Sequence, residues 1–518
     1  PDGKYVVYAA GLGSERGSVW LRHLDTGSVV EIIPPSDNRY YGLALSPDGT
    51  ILYFVRRPLK SSEPAGIFRV PVFGGVPQKL ATDTEGWMSV SPDGKLISFV
   101  RCTHTDLDNC SLWIANSADG SNPRRIVTRP KPFRIDDNRF SPDGQSIGFA
   151  VGQSSTASNE FGVHSVDIET GVENELTPEK FFNVKNLIFL DGGELLITAS
   201  RVPTKNFRIW RIIPDKKAEP LTDDADSYSV LSVDHASSKI ISTRINQDFR
   251  MYVSKLEDPT VGKKIAVASA GRFSPDGRIY FQSIQSGNDE VWSMLPDGSG
   301  QQQLTNDPAD DGRPLPSRDG KTIFFVSNRS ASAQIWRMNP DGTDQAQVSM
   351  RNGGAPYESS ADQRWVFFRQ ALDGTIWKVP YEGGEPQPVT KTNRTNFAIS
   401  PDSTQAAVFK PEGSDDQYQL VDLSTGEALQ VFKTPNPELR IRAAAWLPDG
   451  SAFLIAACEI ETRNCALWKQ HPDGSEPKRI KTLEDLDIND LSVSADGKLI
   501  AIAQGRWTHD IVLLKGLK

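Results

Sequence analysis

The chain has 518 residues and a formal net charge of −9, and this acidic balance disfavours nucleic acid and anionic membrane surfaces as main partners because both are negatively charged. A hydrophobic content of 38% with 35 prolines and 41 glycines is typical of a turn-rich globular protein and not of a disordered chain. No apolar run approaches the roughly 20 residues of a membrane span, and the length predicts at least two hydrophobic cores.

A repeated pattern of short strands and turns begins at the first residues and continues to the last. Its clearest copy, residues 273–305, opens with Phe-Ser-Pro-Asp-Gly, in which proline fixes φ, serine and aspartate can bond backbone amides, and glycine permits the exit from the turn. The aspartate of this turn recurs every 40 to 50 residues, at Asp2, Asp48, Asp93, Asp143, Asp191, Asp276, Asp319, Asp362, Asp402, Asp449 and Asp496, with a degraded copy at Asp234.

Each copy reads strand, turn, strand, loop, strand, turn, strand, which predicts one four-stranded antiparallel blade of a β-propeller. We therefore predict an all-β chain of two consecutive β-propellers of about six blades each, with domains at 1–262 and 270–518 that meet near residues 258–271. The alternatives are a split of seven and five blades, or a ring in which the two ends of the chain share a blade.

Taken in order, the units are regular from residue 36 to 177, change their turn at 190–193, and become most degraded at 223–268, where we place the boundary between the rings. We expect the first unit to lack the strand before its turn and the last unit to lack its fourth strand, which leaves edges that another strand can cover. A tryptophan recurs in the third strand and is expected to fill the space between neighbouring sheets, at Trp20, Trp113, Trp210, Trp292, Trp336, Trp377 and Trp468.

The four cysteines fall in two pairs at equivalent places. Cys102 ends a second strand and Cys110 begins the third, and Cys458 and Cys465 repeat this arrangement far along the chain. Neighbouring antiparallel strands bring Cα atoms to about 5 Å, within disulfide range. We predict the disulfides Cys102–Cys110 and Cys458–Cys465, and hence a periplasmic or extracellular location. Reduced core thiols are the alternative.

The repeat resembles the WD-like repeat of TolB-type propellers. The resemblance rests on the Ser-Pro-Asp-Gly turns, on Ile-Trp in third strands, as at residues 335–336, and on Leu-Thr endings, as at residues 304–305. It implies the propeller fold over essentially the entire chain. Repeats of this type occur in periplasmic TolB, in the extracytoplasmic regions of membrane-tethered regulators and kinases, and in the non-catalytic propeller of prolyl oligopeptidase-like enzymes.

The sequence contains no Gly-x-Ser-x-Gly elbow, His-Glu-x-x-His helix or P-loop. The six histidines are scattered over different units, and the acidic clusters lack a calcium-loop spacing. We therefore expect no enzymatic activity, no cofactor and no metal site.

Function is expected on the face of each ring where the loops between blades surround the axial channel. Aromatic and arginine side chains, which are enriched in binding hot spots, occur there as Tyr40, Tyr41, Trp87, Arg134, Phe182, Tyr228, Arg313, Tyr357, Arg394 and Arg440. The favoured hypothesis is a non-enzymatic binding or sensing propeller whose partner is a protein or a small ligand. A secreted assembly subunit that self-associates by strand exchange through its open terminal blades is the second hypothesis, and a propeller hydrolase or lyase is the third.

Overall fold

The computed structural model describes most of the chain, namely residues 3–11, 16–59, 63–102, 108–154, 159–201, 207–214, 216–222, 226–234, 239–259, 262–330, 333–350, 353–370, 375–390, 396–409, 417–434, 439–459, 464–483 and 487–514. Every regular element in these residues is a β-strand. They include no helix with the length and apolar character needed to cross a membrane.

The described residues form two compact units. Residues up to 246, together with 509–514, belong to the first unit, and residues 247–508 belong to the second. The sequence pattern places the boundary at 258–271, beyond the point where the structure divides. The reason is that the chain leaves the first unit inside one continuous strand of 16 residues, Ile240–Lys255, so no loop marks the passage.

The first unit is built from antiparallel sheets whose strands pair in chain order. The first three sheets contain β1 (Tyr5–Ala10), β2 (Gly17–His23) and β3 (Val29–Ser36); β4 (Asn38–Leu45), β5 (Ile51–Pro58), β6 (Gly66–Pro71) and β7 (Gln78–Thr82); and β8 (Glu85–Val90), β9 (Leu96–Arg101), β10 (Asn109–Asn116) and β11 (Arg124–Pro130). The next sheets contain β12 (Phe133–Phe140), β13 (Ser146–Ser154), β14 (Asn159–Asp167) and β15 (Glu173–Glu175); β16 (Asn183–Phe189), β17 (Leu195–Ser200), β18 (Arg208–Ile212) and β19 (Glu219–Pro220); and β20 (Ser227–Val233) with the first part of β21 (Ile240–Lys255).

The second unit repeats the same four-stranded plan. After β22 (Lys263–Val267), its sheets contain β23 (Ala270–Phe273), β24 (Ile279–Ser283), β25 (Glu290–Met294) and β26 (Gln302–Gln303); β27 (Asp311–Pro316), β28 (Ile323–Ser327), β29 (Gln334–Met338) and β30 (Ala346–Gln347); and β31 (Gly354–Ser359), β32 (Trp365–Gln370), β33 (Ile376–Pro380) and β34 (Gln387–Pro388). The remaining strands are β35 (Asn396–Ile399), β36 (Gln405–Phe409), β37 (Gln417–Asp422) and β38 (Ala428–Lys433); β39 (Leu439–Trp446), β40 (Phe453–Glu459), β41 (Cys465–Gln470) and β42 (Lys478–Leu483); and β43 (Asp487–Val493) with β44 (Leu499–Leu514).

Distant parts of the chain complete the sixth sheet of each unit. In the second unit, β43 and the first part of β44 are joined by the last part of β21 and by β22. In the first unit, the last part of β44 joins β20 and the first part of β21. The degraded repeat at 223–268 is therefore not one blade, because its first strands belong to the first unit and its last strands to the second.

The first strands of successive sheets in the second unit form a closed ring. In order they are β23, β27, β31, β35, β39 and β43, and β43 lies beside β23 again. In the first unit β4, β8, β12, β16 and β20 lie side by side in the same way, and the Lys239 ammonium donates to the Gly3 carbonyl oxygen (3.0 Å), linking the sixth sheet to the first. The predicted all-β propeller architecture, with six sheets in each unit, is confirmed.

The predicted turns form as their residues dictate. The Ser317 hydroxyl donates to Asp319 (2.7 Å) and accepts from the Thr322 amide (3.0 Å), while Asp319 accepts from the Lys321 amide (3.1 Å). The same network recurs in six other turns, those that begin at Ser46, Ser91, Ser141, Ser360, Ser400 and Ser494.

Two disulfides close hairpins in equivalent places. Cys102 is joined to Cys110 with Cα atoms 4.1 Å apart, and Cys458 is joined to Cys465 with Cα atoms 3.9 Å apart. The second pair is directly opposed across β40 and β41. All four cysteines are buried, so each bridge lies within the hydrophobic layer of its unit.

Candidate functional site

A cavity of about 290 Å³ lies within the second unit. The first strands of all six sheets line it, which places it on the axis of the ring. Its lining residues are Phe249, Arg272, Arg313, Tyr357, Asn396, Phe397, Arg442, Ala443, Ala444, Ile488, Asn489 and Asp490. Three arginines and one aspartate give the lining a net charge of +2, in contrast to the acidic chain as a whole.

Four of these side chains are positioned by β-bulges. The strand register shifts between Gly312 and Leu315, between Pro356 and Glu358, between Ile441 and Ala443, and between Ile488 and Asp490. A bulge leaves an extra residue without a cross-strand partner and re-aims its side chain. The residues in these bulges that line the cavity are Arg313, Tyr357, Arg442 and Asn489.

Arg272 is the arginine whose charge is already neutralised. Its guanidinium contacts the Asp490 carboxylate (2.5 Å) and donates to the Leu491 carbonyl oxygen (3.3 Å). Asp490 also accepts from the Gly271 amide (3.2 Å), and its side chain is only 9% exposed. This pair joins the first strand of the sixth sheet to that of the first sheet, so its role in ring closure is structural.

Arg313 and Arg442 present free guanidinium groups. Within the described part of the chain, neither side chain has a hydrogen-bonding or ion-pair partner. The Arg313 backbone lies at φ 48°, in the left-handed region, and its amide donates to the Gln282 side-chain oxygen (3.0 Å). The Arg442 carbonyl oxygen accepts from the Asn396 amide group (3.2 Å). Backbone bonds therefore hold both residues while their charged groups stay available.

An aromatic and amide wall lies between these arginines in the ring. The Tyr357 ring stacks on Phe397 at a centroid distance of 4.3 Å, and its hydroxyl donates to the Asn396 side-chain oxygen (3.0 Å). The Asn489 amide group donates to the Ser269 carbonyl oxygen (2.5 Å). The wall is thus fixed in place before any ligand enters.

Two of the side chains predicted from the sequence, Arg313 and Tyr357, line this cavity. Arg394 lies outside the described residues. Arg440 lies on β39, two positions before Arg442, and donates to the Leu439 carbonyl oxygen (3.4 Å) without lining the cavity.

The predicted residues of the first unit have varied surroundings. Tyr40 packs edge-on against Phe54 and bonds Ser36 through its hydroxyl (2.7 Å), and Arg134 pairs with Asp136 (2.6 Å). Half-buried positions are occupied by Tyr41, Trp87 and Phe182. Tyr228 is only 5% exposed and belongs to a hydrophobic cluster, so its ring packs in the core of the unit instead of facing solvent at a channel mouth.

Sequence reasoning missed Arg272, Arg442, Asn396, Asn489 and Asp490. The signal in the sequence is that each residue lies a few positions before the turn aspartate of its repeat. Arg272 precedes Asp276 by four residues, and Arg442 precedes Asp449 by seven. The bulges shift this distance from one blade to the next, so strict alternation of side chains along a strand does not identify the inward-facing position.

Comparisons with known proteins agree with this architecture. Residues 232–448 match the family model described as TolB beta propeller domain. A stretch of 219 residues is 26% identical to the uncharacterized protein Atu1656 of Agrobacterium fabrum strain C58, and it covers 41% of this chain and 68% of that protein.

Matches among solved structures cover larger parts of the chain at low identity. A structure named for TolB from Agrobacterium tumefaciens is 19% identical, covers 65% of this chain and 89% of its own, and has a TM-score of 0.27. The GH74 xyloglucanase from Xanthomonas campestris is 12% identical, covers 98% of this chain and 90% of its own, and has a TM-score of 0.39. The chain is a β-propeller repeat protein, and part of it is similar to the TolB beta propeller domain.

Proposed function

We propose that the protein is a non-enzymatic extracytoplasmic binding module that captures its ligand in the axial cavity of the second unit. The observation that carries this proposal is the pair of guanidinium groups, Arg313 and Arg442, which line a formed cavity and have no partner among the described residues. A concave site with a few converging polar groups is the usual form of a ligand pocket.

The composition of the lining supports binding in preference to catalysis. Hydrogen-bond donors dominate it, in the form of guanidinium and amide groups, and its one carboxylate is paired with Arg272. The described lining residues include no histidine, cysteine or serine. Acid–base or nucleophilic chemistry needs such groups within reach of each other.

The two disulfides support the extracytoplasmic part of the proposal, because structural disulfides persist in oxidising compartments. Thiol titration of the native protein, denatured without reductant, is expected to detect no free cysteine. Detection of four free thiols would remove this support and leave the ligand proposal to be judged separately.

A thermal-shift screen against a library of small molecules tests the binding proposal. Asn489→Trp places a large ring at the cavity wall, and Asn38→Trp makes the same change at a half-buried position of the first unit. Compounds that raise the melting temperature of the wild type and of Asn38→Trp are expected to lose their effect on Asn489→Trp. Equal shifts in all three proteins would place binding outside the cavity and overturn the proposal.

An assembly subunit is the second candidate, and one observation favours it. The first sheet has three strands, and in the described residues β1 pairs with β2 alone. A strand edge of this kind can accept a strand from another copy. Sedimentation velocity over a wide range of concentrations decides: growth of larger species with concentration favours assembly, and a constant monomer speaks against it.

A further inference from the structure

The two free guanidinium groups of the cavity belong to opposite sheets of the ring. Arg313 lies on β27, the first strand of the second sheet in the ring that begins with β23, and Arg442 lies on β39, the first strand of the fifth sheet. In a closed ring of six sheets, the second and the fifth are three steps apart in either direction. The two charges therefore face each other across the axis.

We propose, on the basis of the proposed function, that the ligand is a small dianion with two acidic groups. Arg313 binds one of these groups and Arg442 binds the other. A guanidinium binds a carboxylate or a phosphate through two parallel hydrogen bonds, which fixes the orientation of the acidic group. Because Asp490 neutralises Arg272, the charge left for a ligand to balance is that of these two arginines.

The backbone of Arg313 supports a ligand-directed role for its side chain. The left-handed region is strained for a residue that carries a Cβ atom, and Arg313 adopts φ 48° inside a bulge of β27. This conformation directs the residue toward the axis, where its guanidinium has no protein partner in the described chain. A bound anion supplies the compensating interaction.

The space between the two arginines defines the middle of the ligand. The Tyr357–Phe397 stack and the methyl groups of Ala443 and Ala444 provide apolar surface, and Asn396 adds one amide group. A cavity of about 290 Å³ lies at the lower end of the range for small-molecule pockets, which is roughly 300–1,000 Å³. We infer a short linker between the acidic groups, of the size of a small dicarboxylate or an organic diphosphate.

Calorimetric titration at low ionic strength tests the proposal with defined probes. One arm is the dicarboxylate series malonate, succinate, glutarate, adipate and pimelate, and a second arm is pyrophosphate and methylene diphosphonate. Succinamate, with one charge, and succinamide, with none, are the matched probes. An affinity maximum at one chain length of the dicarboxylates identifies carboxylates as the acidic groups of the ligand. Tighter binding of the second arm identifies phosphates instead.

Three variants assign the charges to residues. Arg442→Gln removes one guanidinium, and Arg313→Asn removes the other while keeping a residue that tolerates the left-handed conformation. Each is expected to weaken the best dianion about tenfold or more, since hydrogen bonds to charged groups contribute roughly 1.5–3 kcal/mol. Arg440→Gln is the control, because Arg440 lies on the same strand as Arg442 but does not line the cavity. The affinity of this variant for the dianion is expected to match that of the wild type.

The outcomes separate this inference from the proposed function. If succinamide binds as tightly as succinate and Asn489→Trp abolishes the binding of both, the cavity is the site but the dianion inference is overturned. If no dianion binds, or if neither Arg442→Gln nor Arg313→Asn weakens it, the inference also fails. If library compounds bind and none depends on the cavity, the proposed function fails with it. Circular dichroism and melting temperatures of the variants verify that each remains folded.

Discussion

Arg313 and Arg442 occupy bulges of equivalent strands but differ in backbone conformation. Of the two residues, Arg313 is the one with a positive φ. Glycine adopts the left-handed region without the cost borne by a residue with a Cβ atom. We predict that Arg313→Gly leaves the free energy of unfolding unchanged or raises it. Arg442→Gly is expected to lower it by about 0.5–1 kcal/mol, because glycine in an ordinary strand loses more conformational entropy.

Urea unfolding of both variants measures this difference. Equal destabilisation of the two would contradict the account of strain at Arg313. A stabilised Arg313→Gly variant that no longer binds a dianion would show that the strain serves ligand binding.

Glu290 is a fully buried carboxyl group away from the cavity. Its oxygens accept from the Thr305 hydroxyl (2.5 Å) and the Asp307 amide (2.9 Å). Burial, aided by the nearby Asp311 carboxylate, raises the pKa of Glu290 from 4.5 to about 7, although these hydrogen bonds act to lower it. Asp311 itself pairs with Arg329, so Glu290 has no cation of its own among these contacts.

The raised pKa predicts a loss of stability as pH increases. In the unfolded chain Glu290 ionises near pH 4.5, whereas in the folded protein it stays protonated until about pH 7. Its contribution is therefore fully present below pH 4.5, falls between pH 4.5 and 7 by about 3 kcal/mol, and is constant above. Glu290→Gln is expected to be more stable than the wild type at pH 8 and similar at pH 5.

Denaturant unfolding at these two pH values checks this prediction. The glutamine keeps an oxygen to accept from the Asp307 amide, so a large loss at both pH values would mean that ionisation of Glu290 is not what limits stability.

At the scale of elements, the turn that defines the repeat offers a matched pair of serines. Ser317 donates to Asp319 and accepts from the Thr322 amide, whereas the buried Ser274 hydroxyl has no partner among the described residues. Ser317→Ala is expected to cost about 1 kcal/mol, the usual net contribution of a hydrogen bond. Ser274→Ala is expected to be neutral or stabilising, because it removes a buried polar atom without a partner.

The melting temperatures of Ser317→Ala and Ser274→Ala measure this difference, and both serines belong to the same unit and the same type of turn. If both substitutions cost the same, the serine–aspartate network contributes nothing specific to the turn.

The elements themselves were predictable because their signals are local. A turn such as Ser317–Gly320 is specified by four adjacent residues. The continuous apolar runs of strands such as β17 and β40 follow from each blade being buried on both faces between its neighbours. The strand β21 was not predictable in this way, because the sequence pattern assigns it to a single degraded blade. The division of this strand between two units depends on pairing with residues about 250 positions away along the chain, and no local signal reports that pairing.

At the scale of the molecule, the last part of β44, from residue 509 onward, belongs to the first unit. Val512 packs against a cluster that includes Ile188, Leu196 and Tyr228, whereas Leu513 on the same strand is 48% exposed. Val512→Asp is expected to destabilise the first unit by about 2 kcal/mol or more, because it places a charge in an apolar layer. Leu513→Asp should change the stability by less than about 0.5 kcal/mol.

Hydrogen exchange read by mass spectrometry distinguishes the units. Faster exchange in β16 to β20 with unchanged exchange in β27 to β33 is expected for Val512→Asp. Equal acceleration throughout, or an equal effect of Leu513→Asp, would contradict the placement of this strand.

The cavity was harder to predict than the fold because it exists only once the ring is closed. Arg313 and Tyr357 were predicted from their residue types as residues of loops between blades, and the structure instead places them on the strands β27 and β31. Arg442 and Arg272 were missed, since bulges and ring order decide which side chains meet on the axis. A single sequence reports neither.

A crystal structure of the protein with its tightest-binding dianion tests the central claim most directly. The account predicts electron density for the ligand on the axis of the second unit, with one acidic group on Arg313, the other on Arg442, and its middle against the Tyr357–Phe397 stack. A ligand bound elsewhere, for example beside Trp87 in the first unit, or density in the cavity that contacts neither arginine, would contradict it.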